Sequence, residues 1–140
     1  MKVENNDKIK DLTEQEIIDR LLAIDEMPTK QVKVKRLGIP ITLKGLSSKQ
    51  INRIRRECTE SYTVKGQEKE RLNSDEYSAA LVNTSTVGDF WGHESLIKKY
   101  RASSPEEVIK RVLLAGELSS LADEVVDLSG FSDSIEEIKN

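Results

Sequence analysis

The chain is poor in the residues from which reactive centres are built. Its 140 residues include one cysteine, Cys58, one histidine, His93, and one tryptophan, Trp91. One cysteine excludes an internal disulfide and a multi-cysteine zinc site. One histidine excludes a His-rich metal centre and leaves little from which to build a Ser–His or Cys–His pair. The seven glycines are scattered, so no glycine-rich phosphate loop is present. The longest apolar run is Val112-Leu113-Leu114-Ala115, far short of the roughly 20 residues a membrane span needs. Residues 1–7 carry no apolar segment of the signal-peptide kind, so the expected location is the cytosol in which the chain is made. Aromatics make up only 4% of the residues, and the hydrophobic share of 36% implies a modest core.

Charge, by contrast, is abundant and unevenly placed. Charged residues are 34% of the chain, with a net charge of -3. From Gln31 to Leu72 eleven cations face four anions, leaving the remaining segments strongly acidic. Such a basic waist suits internal neutralisation by acidic helices, an acidic partner, or nucleic acid.

Local patterns divide the chain. Thr13-Glu14-Gln15-Glu16 is a capping box, followed by Ile17, Ile18, Leu21 and Leu22 at helical spacing, with Met27-Pro28-Thr29 ending the helix. Val32 and Val34, then Ile41 and Leu43, alternate with polar residues on either side of Leu37-Gly38-Ile39-Pro40, the pattern of an antiparallel hairpin. Ser47-Ser48 caps a helix over about 49–59, with Ile51, Ile54 and Cys58 on one face and Lys49, Arg53 and Arg56 on the other. Residues 60–73 lack apolar periodicity and read as a mobile loop. Ser74 caps a helix to about Thr84, with Tyr77, Ala80 and Leu81 facing inward. Ser104-Pro105-Glu106-Glu107 combines an N-cap, a proline at the first helical position and a second capping box. Gly116 interrupts the helix that follows, and Gly130 stops its continuation in a Schellman-like position with Phe131 just beyond.

These elements give a helix-rich α+β fold: a single domain with one short antiparallel β-hairpin near the N-terminal third. The domain spans residues 13–131, between a flexible tail at 1–12 and an acidic tail at 132–140. No catalytic residues, metal ligands or cofactor-binding residues emerge, so the chain reads as a non-enzyme without a cofactor. His93-Glu94 falls short of the three or four ligands of a zinc site. Glu106-Glu107 suits a helix N-terminus. Cys58 lies on an apolar stripe, the place of a packed thiol. Phe90 and Trp91 suit core packing more than an exposed anchor. Lys49, Arg53 and Arg56 could meet phosphates while Gln50 or Asn52 touched bases. The element before them reads as a strand, however, not as the first helix of a helix-turn-helix.

The order of parts resembles the XkdN-like group of phage and prophage tail assembly chaperones. The matching stretches are residues 34–46 with Ser47 to Cys58, and Ser104-Pro105-Glu106-Glu107-Val108 through Leu113-Leu114-Ala115-Gly116-Glu117 to Leu128-Ser129-Gly130-Phe131. Ala115 stands where the family carries a proline before Gly-Glu, which bears on the junction between the last two helices. The resemblance implies a non-catalytic protein that binds the tape measure protein, and touches the tail tube protein, while the tail is assembled. It would keep the long helical segments of the tape measure protein soluble. Leu113, Leu114, Leu118 and Leu121 would line a groove or simply fill the core. The resemblance names no partner-binding residues, and homo-oligomerisation is left open. It implies no membrane partner. A nucleic-acid-binding regulator using residues 31–72, and a structural tail component, are the competing readings.

Overall fold

The computed structural model describes residues 11–131 and 134–138. The chain divides into two units, Pro28–Ser132 and one formed by Met1–Met27 with Asp133–Asn140.

In the smaller unit the one described helix is α1 (Glu14–Leu22). Its capping box forms as the sequence dictates: Glu16 N–H donates to Thr13 Oγ1 at 3.2 Å, and Thr13 N–H donates to Glu16 Oε1 at 3.2 Å. The helix closes at Ala23, earlier than the Met27 boundary expected from sequence. Asp25 and Glu26 would place negative charge at the negative end of the helix dipole. Ile17, Ile18, Leu21 and Leu22 share helical neighbours at i and i+4, and all four are exposed.

The larger unit begins with β1 (Thr29–Val34) and β2 (Ile39–Lys44), paired antiparallel with Val32 opposite Ile41. Gly38 turns the hairpin at φ +67°, and its N–H donates to Val34 O at 2.8 Å. Pro40 lies inside β2, paired with Lys33 in this two-stranded sheet. The other edge of β2 meets Thr86 in a bridge, and Val87 N–H donates to Thr42 O at 2.8 Å.

Helix α2 (Ser48–Glu57) starts at Ser47, whose hydroxyl accepts from Gln50 N–H at 3.2 Å. Residues 60–73, expected as a mobile loop, instead belong to a second antiparallel hairpin, β3 (Thr59–Val64) and β4 (Gln67–Leu72). The fold therefore has two hairpins, not one. Its turn is Lys65-Gly66, at φ +50° and +79°, the two left-handed residues a tight hairpin requires. Every residue of β3 and β4 except Thr59 is exposed, so neither strand has a buried face to impose alternation on its sequence.

The central helix, α3 (Ser74–Ser85), packs most extensively against α5 and α6. Its N-cap is Asn73 rather than Ser74: Asn73 Oδ1 accepts from Glu76 N–H at 3.1 Å. Ala79, Leu81, Val82 and Ser85 are buried, while Tyr77 and Ala80 are half-buried. A single 3-10 turn at Phe90–Gly92 buries Trp91, whose Nε1–H donates to Thr86 Oγ1 at 3.1 Å, and leaves Phe90 exposed. Helix α4 (Glu94–Tyr100) follows.

Helix α5 (Pro105–Val112) has Ser104 as N-cap and Pro105 at its first position. The reciprocal half of its capping box is displaced by one residue. Glu107 accepts from Ser103 N–H at 3.1 Å and Ser103 Oγ at 2.6 Å, not from the Ser104 backbone. The chain breaks at Leu113, before α6 (Ala115–Leu128). The interruption expected at Gly116 thus falls two to three residues earlier, and Gly116 lies in the first turn of α6. Helix α6 ends in the expected Schellman motif: Gly130 N–H donates to Asp127 O at 3.0 Å and Phe131 N–H to Val126 O at 3.3 Å.

Ile41, Leu43, Ala79, Leu81, Val82, Val108, Ile109 and Val125 are the innermost apolar side chains among the described residues, none more than 1% exposed. They join the first hairpin to α3, α5 and α6 in one core.

Candidate functional site

Strand β1 alternates so that Lys30, Val32 and Val34 share the face that also carries Ile39, Ile41 and Leu43 of β2. Ile41 and Leu43 are fully buried, whereas Val32 is half-buried and opens onto a groove. The groove has a volume of about 740 Å³ and runs between β1 and the N-terminal half of α6. Val32, Val34, Leu114 and Leu121 provide its apolar lining.

Ion pairs tie the two walls together. Lys30 Nζ reaches Glu124 Oε2 at 2.6 Å. Arg36, just past β1, donates from Nε to Glu117 Oε2 at 2.9 Å and from Nη2 to Glu117 Oε1 at 2.8 Å. The same Nη2 donates to Val112 O at 2.8 Å, satisfying a carbonyl at the end of α5. Glu117 also accepts from Leu114 N–H at 2.7 Å, an orphan donor at the start of α6. The Arg36 hydrogen bonds, then the Leu114 N–H, hold the Glu117 carboxyl below its ordinary pKa, and Glu117 in turn raises that of Arg36. These contacts fix the bend between α5 and α6. As a result Leu113 points into the core at 6% exposed, while Leu114 stands at the groove at 58%.

The four leucines expected either to line a groove or to fill the core divide between the two. Leu113 and Leu118 are core residues, Leu121 is both core and groove lining, and Leu114 is the exposed one. The missed contributors are Val32 and Val34. Their alternation was visible in sequence, but the opposing wall came from residues about 80 positions later.

A second concavity, about 460 Å³, is lined by Arg53, Glu57, Cys58, Glu76 and Glu106 among others. Burial, followed by Glu76, pushes the Cys58 thiol up, opposite to the activation of a nucleophile. Lys110 pairs with Glu76, and Asn83 Nδ2 donates to Glu106 at 2.9 Å. His93 serves as the N-cap of α4, its Nδ1 accepting from Ser95 N–H at 3.1 Å. Among the described residues no group of three or more His, Cys, Asp and Glu is placed to hold a metal ion.

Lys49, Arg53 and Arg56 are exposed on α2, opposite the buried Ile51 and Ile54. Arg53 lies 3.7 Å from Glu57. Strand β2 precedes α2, so no helix-turn-helix is formed there. Arg71 lies over the Tyr62 ring, at 5.2 Å from its centroid, on the exposed β3–β4 hairpin.

Comparison with known proteins gives a consistent result. Residues 8–140 match the family described as phage XkdN-like tail assembly chaperone protein, TAC. The phage-like element PBSX protein XkdN of Bacillus subtilis (strain 168) is 29% identical over 103 residues, 72% of this chain and 70% of that protein. The uncharacterized protein YqbN of the same strain is 27% identical over 118 residues, 81% of this chain and 79% of YqbN. The crystal structure of YqbN shares the fold, with a TM-score of 0.55 at 20% identity over 78% of this chain and 90% of that one.

Proposed function

Given that the chain belongs to the phage XkdN-like tail assembly chaperones, we propose that it binds the tape measure protein and keeps that protein soluble during tail morphogenesis. The observation that carries this reading is the groove between β1 and α6, apolar within and rimmed by ion pairs. A holding protein needs an apolar trough that is open to solvent and walls that do not collapse into it. The Arg36–Glu117 and Lys30–Glu124 pairs brace the walls, and Leu114 offers an exposed anchor. An apolar stripe of a helical client would lie along Val32, Val34, Leu114 and Leu121, shielded from aggregation until the tail polymerises around it. The role is one of binding, without a chemical step.

The test is co-expression with the tape measure protein of the same gene cluster. The wild-type chain is expected to co-purify with it and to raise its soluble yield. Leu114→Asp places a charge in the groove at an exposed position. It should reduce recovery about tenfold or more, since losing a buried leucine contact removes roughly 1.5–3 kcal/mol, while the circular dichroism and melting temperature stay near wild type. Equal insolubility with and without the wild-type chain would overturn the proposal. A virion containing the chain would favour a structural tail component instead.

A further inference from the structure

The first hairpin is covered along one edge and open along the other. On the covered side, β2 turns backbone groups toward the end of α3. Val87 N–H donates to Thr42 O at 2.8 Å, Lys44 N–H donates to Ser85 Oγ at 3.1 Å, and Ser85 Oγ donates to Lys44 O at 2.6 Å. In an antiparallel pair, directly opposite residues either exchange hydrogen bonds or both turn their groups outward. Thr42 stands opposite Gln31 and Lys44 opposite Thr29. Thr29, Gln31 and, at the same period, Lys33 therefore turn N–H and C=O to the far edge of β1. Among the described residues nothing pairs with that edge: the sheet has two strands, and no hydrogen bond reaches these groups.

The open edge borders the groove. Lys30, Val32 and Val34 share the face that meets α6, so a strand added beside β1 would place every second side chain among Val32, Val34, Leu114 and Leu121. Lys30–Glu124 and Arg36–Glu117 close the trough at its ends and leave its middle apolar. The intervening side chains of the added strand would lie on the opposite face of the sheet. That face carries Thr29, Gln31, Lys33, Pro40, Thr42 and Lys44, with two cations and no carboxylate. Lys33 is exposed, and neither lysine belongs to an ion pair among the described residues. Lysine on an open edge opposes unselective strand pairing. Here it sets a sign: a cationic strand meets like charge, whereas carboxylates at alternate positions gain a cross-strand pair.

We propose that the outer edge of β1 docks an extended segment of another protein in which apolar residues alternate with Asp or Glu. The segment adds a third strand to the first hairpin. Its backbone bonds to Thr29, Gln31 and Lys33, its apolar side chains enter the groove, and its carboxylates meet Lys33. The inference rests on the edge and the groove, and goes beyond the groove as a seat for a helical client; the two occupants exclude one another.

The test uses the full chain, isotopically labelled, and two end-blocked synthetic peptides, one alternating valine with glutamate and one alternating valine with lysine. Hydrogen exchange followed by NMR reads the edge directly. The glutamate peptide is expected to slow exchange at the Gln31 and Lys33 amides and to leave Val32, already bonded within the hairpin, as it was. The lysine peptide should change none of the three. Lys33→Glu should weaken binding of the glutamate peptide about tenfold, since an attraction becomes a repulsion. Gln31→Pro should weaken it about as much by removing a backbone donor. Proline there removes only an outward N–H, as Pro40 does opposite Lys33, so the melting temperature stays near wild type. Binding without protection at Gln31 and Lys33, equal binding of the two peptides, or undiminished binding to Gln31→Pro overturns the proposal. So does an absence of protection at the highest peptide concentration reached. Edge amides already protected in the free chain, in proportion to its concentration, would place a second copy there and overturn it as well. Edge protection by the glutamate peptide together with no effect on the tape measure protein would count against the proposed function alone.

Discussion

Glu107 shows how much one side chain can be made to do at a helix start. It accepts two hydrogen bonds from Ser103 and one from Arg111 Nη2 at 2.9 Å. Ser103 first, then Arg111, lowers its carboxyl pKa from 4.5 to about 2. A depressed folded value means that its ionised contacts favour the folded state at pH above the unfolded value of about 4.5. That contribution is lost as pH falls through about 2. Carbon-detected NMR titration should therefore find Glu107 still ionised near pH 3, where ordinary glutamates are largely protonated. Ser103→Ala should return it toward them. A Glu107 that titrates with the other glutamates would contradict the geometry.

At the scale of elements, the two hairpins behave differently because only one has a covered face. The first was legible in sequence: Val32, Val34, Ile41 and Leu43 alternate because one face of that sheet is core. The second was not, because six exposed residues on β4 have no reason to alternate. The available signal was the two-residue Lys65-Gly66 turn after Tyr62-Thr63-Val64. The caps at Thr13, Ser47 and Ser104 and the Gly130 terminus were legible for the opposite reason, since each depends only on residues within one turn. The groove lies between these extremes, for both its walls could be read but their pairing could not. The exposed hairpin leads to a prediction. Gly66→Val forces a β-branched residue to φ +79° and should open β3–β4, accelerating amide exchange there. Since that hairpin buries almost nothing, protection in α3, α5 and α6 should be unchanged. Loss of protection throughout would show that the hairpin supports the core.

At the scale of the whole larger unit, its beginning and its end are in direct contact. Leu46 N–H donates to Ser129 Oγ at 2.9 Å, and Ser129 Oγ donates to Val125 O at 2.6 Å. Beside them Gly45 is buried, and a Cβ there would stand 2.7 Å from the Leu128 carbonyl oxygen. Backbone cannot yield as a flexible side chain can. Gly45→Ala should cost about 1–3 kcal/mol by forcing α6 away from the β2–α2 connection. Urea denaturation would read this as a lower midpoint at unchanged slope. A midpoint at or above the wild-type value would show that α6 can shift freely.

The clasp between Arg36 and Glu117 has a consequence for synthesis on the ribosome. The residues on the two sides of the groove lie 81 to 94 positions apart in the chain. At about 5–20 residues per second, the first hairpin emerges roughly 4–20 seconds before its covering helix. During that interval Ile41 and Leu43 have no α6 to lie against, and Lys33, Lys35 and Lys44 flank them as solubilising gatekeepers. A member of a tail assembly chaperone family thus spends the first seconds of its own synthesis with apolar strand residues uncovered and lysines beside them.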